Sequence, residues 1–139
     1  MSAEIFNTKA REEENPYEVL TDFSCWIYAD NMAKGFYDDE MAIRLHLSKD
    51  PTKHQSYIKS VRAQRIALVT SELSEALEAD RKDLMDDHLP QYYGFDVELA
   101  DALIRILDMC GANNVDIGKV VRDKLAYNKS RPYRHGKAY

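Results

Sequence analysis

Glu72-Leu-Ser-Glu75-Ala-Leu-Glu-Ala79, followed after one linker by Glu98-Leu-Ala-Asp101-Ala-Leu-Ile-Arg-Ile-Leu-Asp108, is the stretch on which the fold turns. An α-helix takes about 3.6 residues per turn, so acids three apart share one face and each pair makes a two-carboxylate claw. The apolar positions say where the claws point. Val69, Leu73, Ala76 and Leu77 recur at helical spacing around the first, and Leu99, Ala100, Leu103, Ile104, Ile106 and Leu107 surround the second. The second segment is apolar over most of its circumference, as a buried helix is, and its acids are expected close to the core.

If the two helices pack with their claws facing, four carboxylates crowd together. One like-charge pair at about 4 Å costs about 4 kcal/mol even at an effective dielectric near 20. Raised carboxyl pKa values, a basic side chain or bound cations can offset that repulsion. A donor set made only of carboxylate oxygen, without His or Cys, suits a hard cation, so Mg²⁺ or Mn²⁺ fits better than zinc. Charged residues make up 31% of the chain, and one such pair on a solvated helix face is ordinary. Two pairs on consecutive apolar helices are more specific.

At 139 residues and 45% hydrophobic, with five Gly and four Pro, the chain reads as a single globular domain. No run of about 18 apolar residues is present, so no membrane span is expected. The start, Met1 to Asn7, lacks the charged and apolar regions of a secretory leader, and a cytoplasmic protein is expected. A net charge of −5 argues against general nucleic-acid binding, which neutralises phosphates with Lys and Arg. Cys25 and Cys110 lie on apolar faces and read as core thiols.

Residues 1–14 carry charge without apolar period and read as a flexible or partner-packed arm, preceding one domain at 15–139. Asn15-Pro-Tyr-Glu18 has the form of a helix start, and Gly35 that of its end. Val19, Leu20, Phe23, Trp26 and Ile27 form an apolar stripe that reads first as core. From Asp38 to Gln55, alternation at Met41, Ile43, Leu45 and Leu47 competes with a short helix, and Asp50-Pro51 reads as a turn. A long helix is expected from about Ser56 to Lys82, with Arg62 and Arg65 on a solvated face. The second claw helix should end at Gly111 and a last helix, carrying Ile117, Val120, Val121 and Leu125, should stop at Pro132. Past Val121 the charge changes sign, with Arg122, Lys124, Lys129, Arg131, Arg134 and Lys137 against Asp123 alone.

The two acid pairs with the tail Lys124-Leu-Ala-Tyr-Asn128-Lys-Ser-Arg131-Pro-Tyr-Arg-His-Gly-Lys137 resemble the MazG-like, all-α nucleoside triphosphate pyrophosphohydrolases. The likeness covers roughly residues 29 to 137. It implies an antiparallel bundle of four main helices, assembled as a homodimer or homotetramer. It implies Glu72, Glu75, Glu98 and Asp101 as metal-holding catalytic acids, with Lys124, Asn128, Arg131, Arg134 and Lys137 as phosphate and sugar contacts. Trp26 and the segment Asn31-Met-Ala-Lys-Gly-Phe36-Tyr37 resemble the part that encloses the base, where an aromatic face stacks and Asn31 hydrogen-bonds a base edge.

The expected reaction splits a ribo- or deoxynucleoside triphosphate into monophosphate and pyrophosphate, using Mg²⁺ and an activated water. Many members carry a further acid where this chain has Ser71, which leaves the water-activating base open between Glu75 and Glu78. Base and sugar do not follow from these residues. Two other classes compete. A di-iron bundle needs Glu-x-x-His pairs, absent here; a non-catalytic helical interaction module that retains the fold needs none of the chemistry.

Overall fold

In the computed structural model, which describes residues 15–132, Asn15 caps the first helix with its side chain, accepting from the Tyr17 N–H at 3.1 Å and donating to Glu18 Oε1 at 3.0 Å. Pro16 follows in the first turn, where its missing N–H costs nothing. The helix α1 runs Pro16–Ala33 and closes at Gly35, whose φ of 83° lies in the left-handed region that glycine tolerates. Four more helices follow: α2 Asp38–Leu47, α3 Pro51–Lys82, α4 Gly94–Ala112 and α5 Ile117–Ser130. The described chain is all-α, and a single isolated bridge, Met85 to Tyr93, is its only β-type pairing.

The ambiguous segment 38–55 is helical. Three acids in the first turn of α2 and Arg44 and His46 in its last complement the helix dipole, and Glu40 pairs with Arg44 one turn on at 2.6 Å. Asp50-Pro51 begins α3 rather than turning the chain. Asp50 accepts from the Lys53 N–H at 3.0 Å and Pro51 takes the first helical position, so α3 starts five residues before the expected Ser56.

Ala79 lies against Gly94, and Glu72 against Arg105, so numbers rise along α3 as they fall along α4 and the two helices are antiparallel. Their contact is built from small residues: Ala76, Ala79 and Ala102 are buried, and a Cβ on Gly94 would stand 3.0 Å from that of Ala79. Small side chains at a helix crossing let the backbones come close, and this closeness brings the two claws together. The linker between them is pinned by Gly94 N–H to the Leu84 carbonyl at 2.9 Å and by Asp86 Oδ1, which accepts from the His88 and Leu89 N–H groups.

α1 packs on α4 from another side, with the buried Ser24 hydroxyl donating to the Leu107 carbonyl at 2.8 Å. α5 packs on α1. Its cap, Asp116, takes the Lys119 N–H and the Thr21 hydroxyl, while Gly118 donates to that same hydroxyl. A Cβ at Gly118 would stand 1.7 Å from the Tyr17 carbonyl oxygen, so only glycine permits this approach.

Two sequence expectations fail here. The stripe on α1 is only partly core: Ile27 is buried, but Val19, Phe23 and Trp26 are exposed, and Phe23 stacks on Trp26 with ring centroids 5.8 Å apart. The reason is Ser24, which takes the inward position where the helix needs a small residue with a donor. Cys110 is a core thiol, pushed up in pKa by burial, whereas Cys25 is exposed on the outer side of α1. No helix among the described residues is long and apolar enough to cross a membrane.

Candidate metal centre

α3 contributes Glu72 and α4 contributes Glu98 and Asp101, and one carboxylate oxygen from each lies within 4.8 Å of the others. Glu72 is 8% exposed, Glu98 is half-buried and Asp101 is on the solvent side. Three of the four claw acids therefore converge, with Glu72 at the back. Glu75, one turn on from Glu72, is exposed and outside that trio; its Oε1 accepts from the Ser71 hydroxyl at 3.3 Å.

The carboxyls register the crowding. Burial raises Glu98 first, and Glu75, Glu72 and Asp101 push it the same way. Burial likewise raises Asp101, with Glu72 as the next cause and Asp86 and Glu75 adding to it, while Arg105 pulls it down. Glu75 thus acts on the cluster through its charge without sharing its closest contacts. Asp86, from the linker, is a further acid near the site that the helical spacing did not reveal.

Arg105 is the cation the sequence left unassigned. It sits one turn after Asp101 and its Nε donates to Glu72 Oε1 at 2.6 Å. A charged residue inside an otherwise apolar helix repeat was the available signal. Two of the three offsets expected for crowded carboxylates are thus in place, raised acids and a basic partner. The donor set itself, three carboxylates converging from two rigid helices, has the hard-oxygen chemistry that suits a Mg²⁺-sized cation.

Beside the trio opens a cleft of ≈ 410 Å³ lined by Asn31, Phe36, Tyr37, Arg65, Leu68, Asp101, Ile104, Arg105 and Asp108. Asn31 and Phe36, two of the base-contact candidates, line it; Trp26, the third, does not and is 62% exposed elsewhere on α1. Arg65 overturns its reading as a solvated charge. Its Nη2 donates to Glu40 Oε2 at 2.5 Å and its guanidinium lies over the Tyr37 ring, 4.5 Å from the centroid. Arg62 instead bonds Asn113 at 2.6 Å, away from the cleft.

Tyr37, Arg65 and Asp108 are tied to their neighbours at one end of the cleft. Tyr37 is 3% exposed, packs edge-on to Tyr28 with centroids 4.8 Å apart, and donates its hydroxyl to Asp108 Oδ2 at 2.7 Å. Burial and that bond hold the phenol protonated far above the usual range.

The basic tail stands apart in the described residues. Lys124, Asn128 and Arg131 belong to α5 and its C-cap, on the α1 side, and none lines the cleft. The Lys124 ammonium lies over the Tyr127 ring of its own helix, 4.9 Å from the centroid. Arg131 is extended, as a residue before proline tends to be. Arg134, Lys137 and the arm at 1–14 lie outside the described residues. Glu78 pairs with Lys82 at 2.5 Å on the surface of α3, outside the acid trio, which leaves Glu75 as the nearer of the two water-activating candidates.

Comparison with protein families, with curated proteins and with solved structures gives no match for this chain.

Proposed function

We propose that this protein is a Mg²⁺-dependent nucleoside triphosphate pyrophosphohydrolase of the MazG-like, all-α type, releasing pyrophosphate and a nucleoside monophosphate. The observation that carries the reading is the convergence of Glu72, Glu98 and Asp101 from two helices, within 4.8 Å, beside a cleft that Asp101 lines and that is large enough for part of a nucleotide. Glu72, Glu98 and Asp101, with Glu75 beside them, would hold the cation. When bound, Mg²⁺ supplies charge neutralisation on the phosphates and lowers the pKa of water.

The protein's own part is positioning. Rigid helices fix the carboxylates, so little reorganisation accompanies reaction. Glu75, exposed and close enough for its charge to act on Glu98 and Asp101, would accept a proton from the attacking water. Arg105, which lines the cleft beside the trio, would meet phosphate oxygens with its guanidinium and so share the anion-binding role assigned to Lys124, Asn128 and Arg131. No Ser or Cys nucleophile is called for.

Assembly belongs to the same reading. Ile66, Leu73 and Leu77 on α3 and Leu99, Leu103 and Ile106 on α4 remain exposed, Leu77 at 60%. Apolar side chains in such number on two neighbouring helices support a homodimer or homotetramer of four-helix units, in which a second copy covers them. The short α2 is then an addition to four main helices rather than a member of the bundle.

One observation favours the competing reading of a helical interaction module: Arg105 already neutralises Glu72, as a purely structural cluster requires. Product analysis separates the two. Incubation with Mg²⁺ and a panel of ribo- and deoxynucleoside triphosphates should yield pyrophosphate and monophosphate, and Glu98→Gln should abolish that turnover while leaving helical circular dichroism intact. Release of single phosphate, or undiminished turnover in Glu98→Gln, overturns the assignment.

A further inference from the structure

Asp101 and Asp108 both line the cleft and are seven residues apart on α4, two turns and about 10 Å along the axis. That is on the order of the span from the phosphates of a nucleotide to the far edge of its base. With phosphates at the acid trio, as the hydrolase reading requires, the base falls at Tyr37, Arg65 and Asp108.

This end of the cleft is fixed and incompletely bonded. The Tyr37 hydroxyl occupies Asp108 Oδ2, and Glu40 occupies Arg65 Nη2. Asp108 Oδ1 and Arg65 Nη1 are buried and, among the described residues, neither has a hydrogen-bond partner. One is an acceptor and the other a donor, and leaving either unmet is unfavourable. Phe36, exposed at the rim, offers a stacking face, and Asn31 a side-chain amide.

We propose that Asp108 is a specificity-determining residue that selects bases bearing an exocyclic amino group. The amino N–H donates to Asp108 Oδ1, and the neighbouring ring nitrogen or carbonyl accepts from Arg65 Nη1. Cytosine and adenine present that donor beside an acceptor. Uracil, thymine and hypoxanthine place a carbonyl where the amino group stands, and its lone pairs face a carboxylate. The inference rests on the pyrophosphohydrolase reading and names the substrate class of that same site.

The test uses substrate pairs that differ by one amino-to-carbonyl exchange, dCTP against dUTP and ATP against ITP, with the full chain and Mg²⁺. The amino member of each pair should have a kcat/KM higher by about tenfold or more, because a site built to accept a donor rejects an analogue that lacks it. Asp108→Asn, which offers an N–H beside its carbonyl, should bring the ratio to near or below one, mainly through KM. Equal rates in the unaltered protein, or a preference for the carbonyl members, overturns the inference and leaves the hydrolase reading standing. So does a folded Asp108→Asn protein with an unchanged ratio. If Asp108→Asn does not fold, the unaltered protein's ratios decide alone. No turnover of any substrate counts against the hydrolase reading instead. Calorimetric titration with CMP against UMP and AMP against IMP then decides the selectivity, tighter binding of CMP and AMP supporting it and equal or weaker binding refuting it.

Discussion

Replacing Arg105 with Met tests whether the acid cluster is built for a cation. Met keeps most of the apolar stem and removes the charge that pairs with Glu72 at 2.6 Å. Breaking a fully buried pair by removing one partner costs about 3–5 kcal/mol. Here Glu72 is buried but the Arg105 side chain is 44% exposed, so solvent screens the interaction. A loss of about 1–2 kcal/mol is the reasonable expectation, or a fall in Tm of roughly 3–8 °C for a domain this size. The informative measurement is the same melt with Mg²⁺. A cation at a hundred times its Kd adds about 2.7 kcal/mol to a protein that binds it only when folded. In the Arg105→Met protein the carboxylates have lost their counter-charge, so Mg²⁺ should bind more tightly and raise Tm by more than in the unaltered protein, closing much of the gap. Thermal melts in chelator and across a Mg²⁺ titration read this directly. If Mg²⁺ moves neither protein, or moves the unaltered protein more than Arg105→Met, the guanidinium and the cation do not serve the same carboxylates and the argument for a metal centre fails.

The raised acids set a pH dependence of known sign. Glu98 and Asp101 hold their protons to higher pH in the folded protein than in the unfolded chain, so the folded state binds more protons in the window between their ordinary and raised values. Their contribution to stability is present below the ordinary carboxylate range and is lost as pH rises through the raised values. Urea midpoints in chelator should fall across that window, and the double variant Glu98→Gln, Asp101→Asn should flatten this part of the profile; an equally steep profile in the double variant would place the titrating groups elsewhere. Gly118→Ala puts a methyl group 1.7 Å from the Tyr17 carbonyl oxygen, a backbone atom that cannot rotate away. A loss of at least about 2 kcal/mol is expected, and an unchanged urea midpoint would mean that α5 does not seat on α1 as described.

The helices were legible because their ends are written chemically. Asn15 and Asp50 are side-chain caps followed by proline, and Gly35 supplies a left-handed stop. Asp50-Pro51 is ambiguous in sequence, since a turn and a helix N-terminus both favour an acid before proline, and here it caps α3. The alternation at Met41, Ile43, Leu45 and Leu47 misleads for a different reason: a strand needs a neighbour, and what this segment has instead is Glu40, tied to Arg44 along the helix and to Arg65 across to α3.

Spacing by three found Glu72, Glu98 and Asp101 because it is a property of one helix at a time. Arg105, Arg65, Tyr37 and Asp108 were not found, because what each does depends on which helix lies opposite. Arg105 becomes a counter-charge only once α3 and α4 run antiparallel with Glu72 at its level, and that register comes from alanines and a glycine that carry no chemistry themselves. Arg65 becomes a buried donor only once α2 folds back on α3 and Glu40 and Tyr37 fix its guanidinium. The same dependence explains Trp26. Its indole was a reasonable base platform by sequence, yet α1 meets α4 through Ser24, and this turns Trp26 away from the cleft that Phe36, one turn beyond the end of α1, still reaches. The acids that would hold a metal are therefore set by local periodicity, whereas the residues that would choose a substrate are set by the contacts between helices.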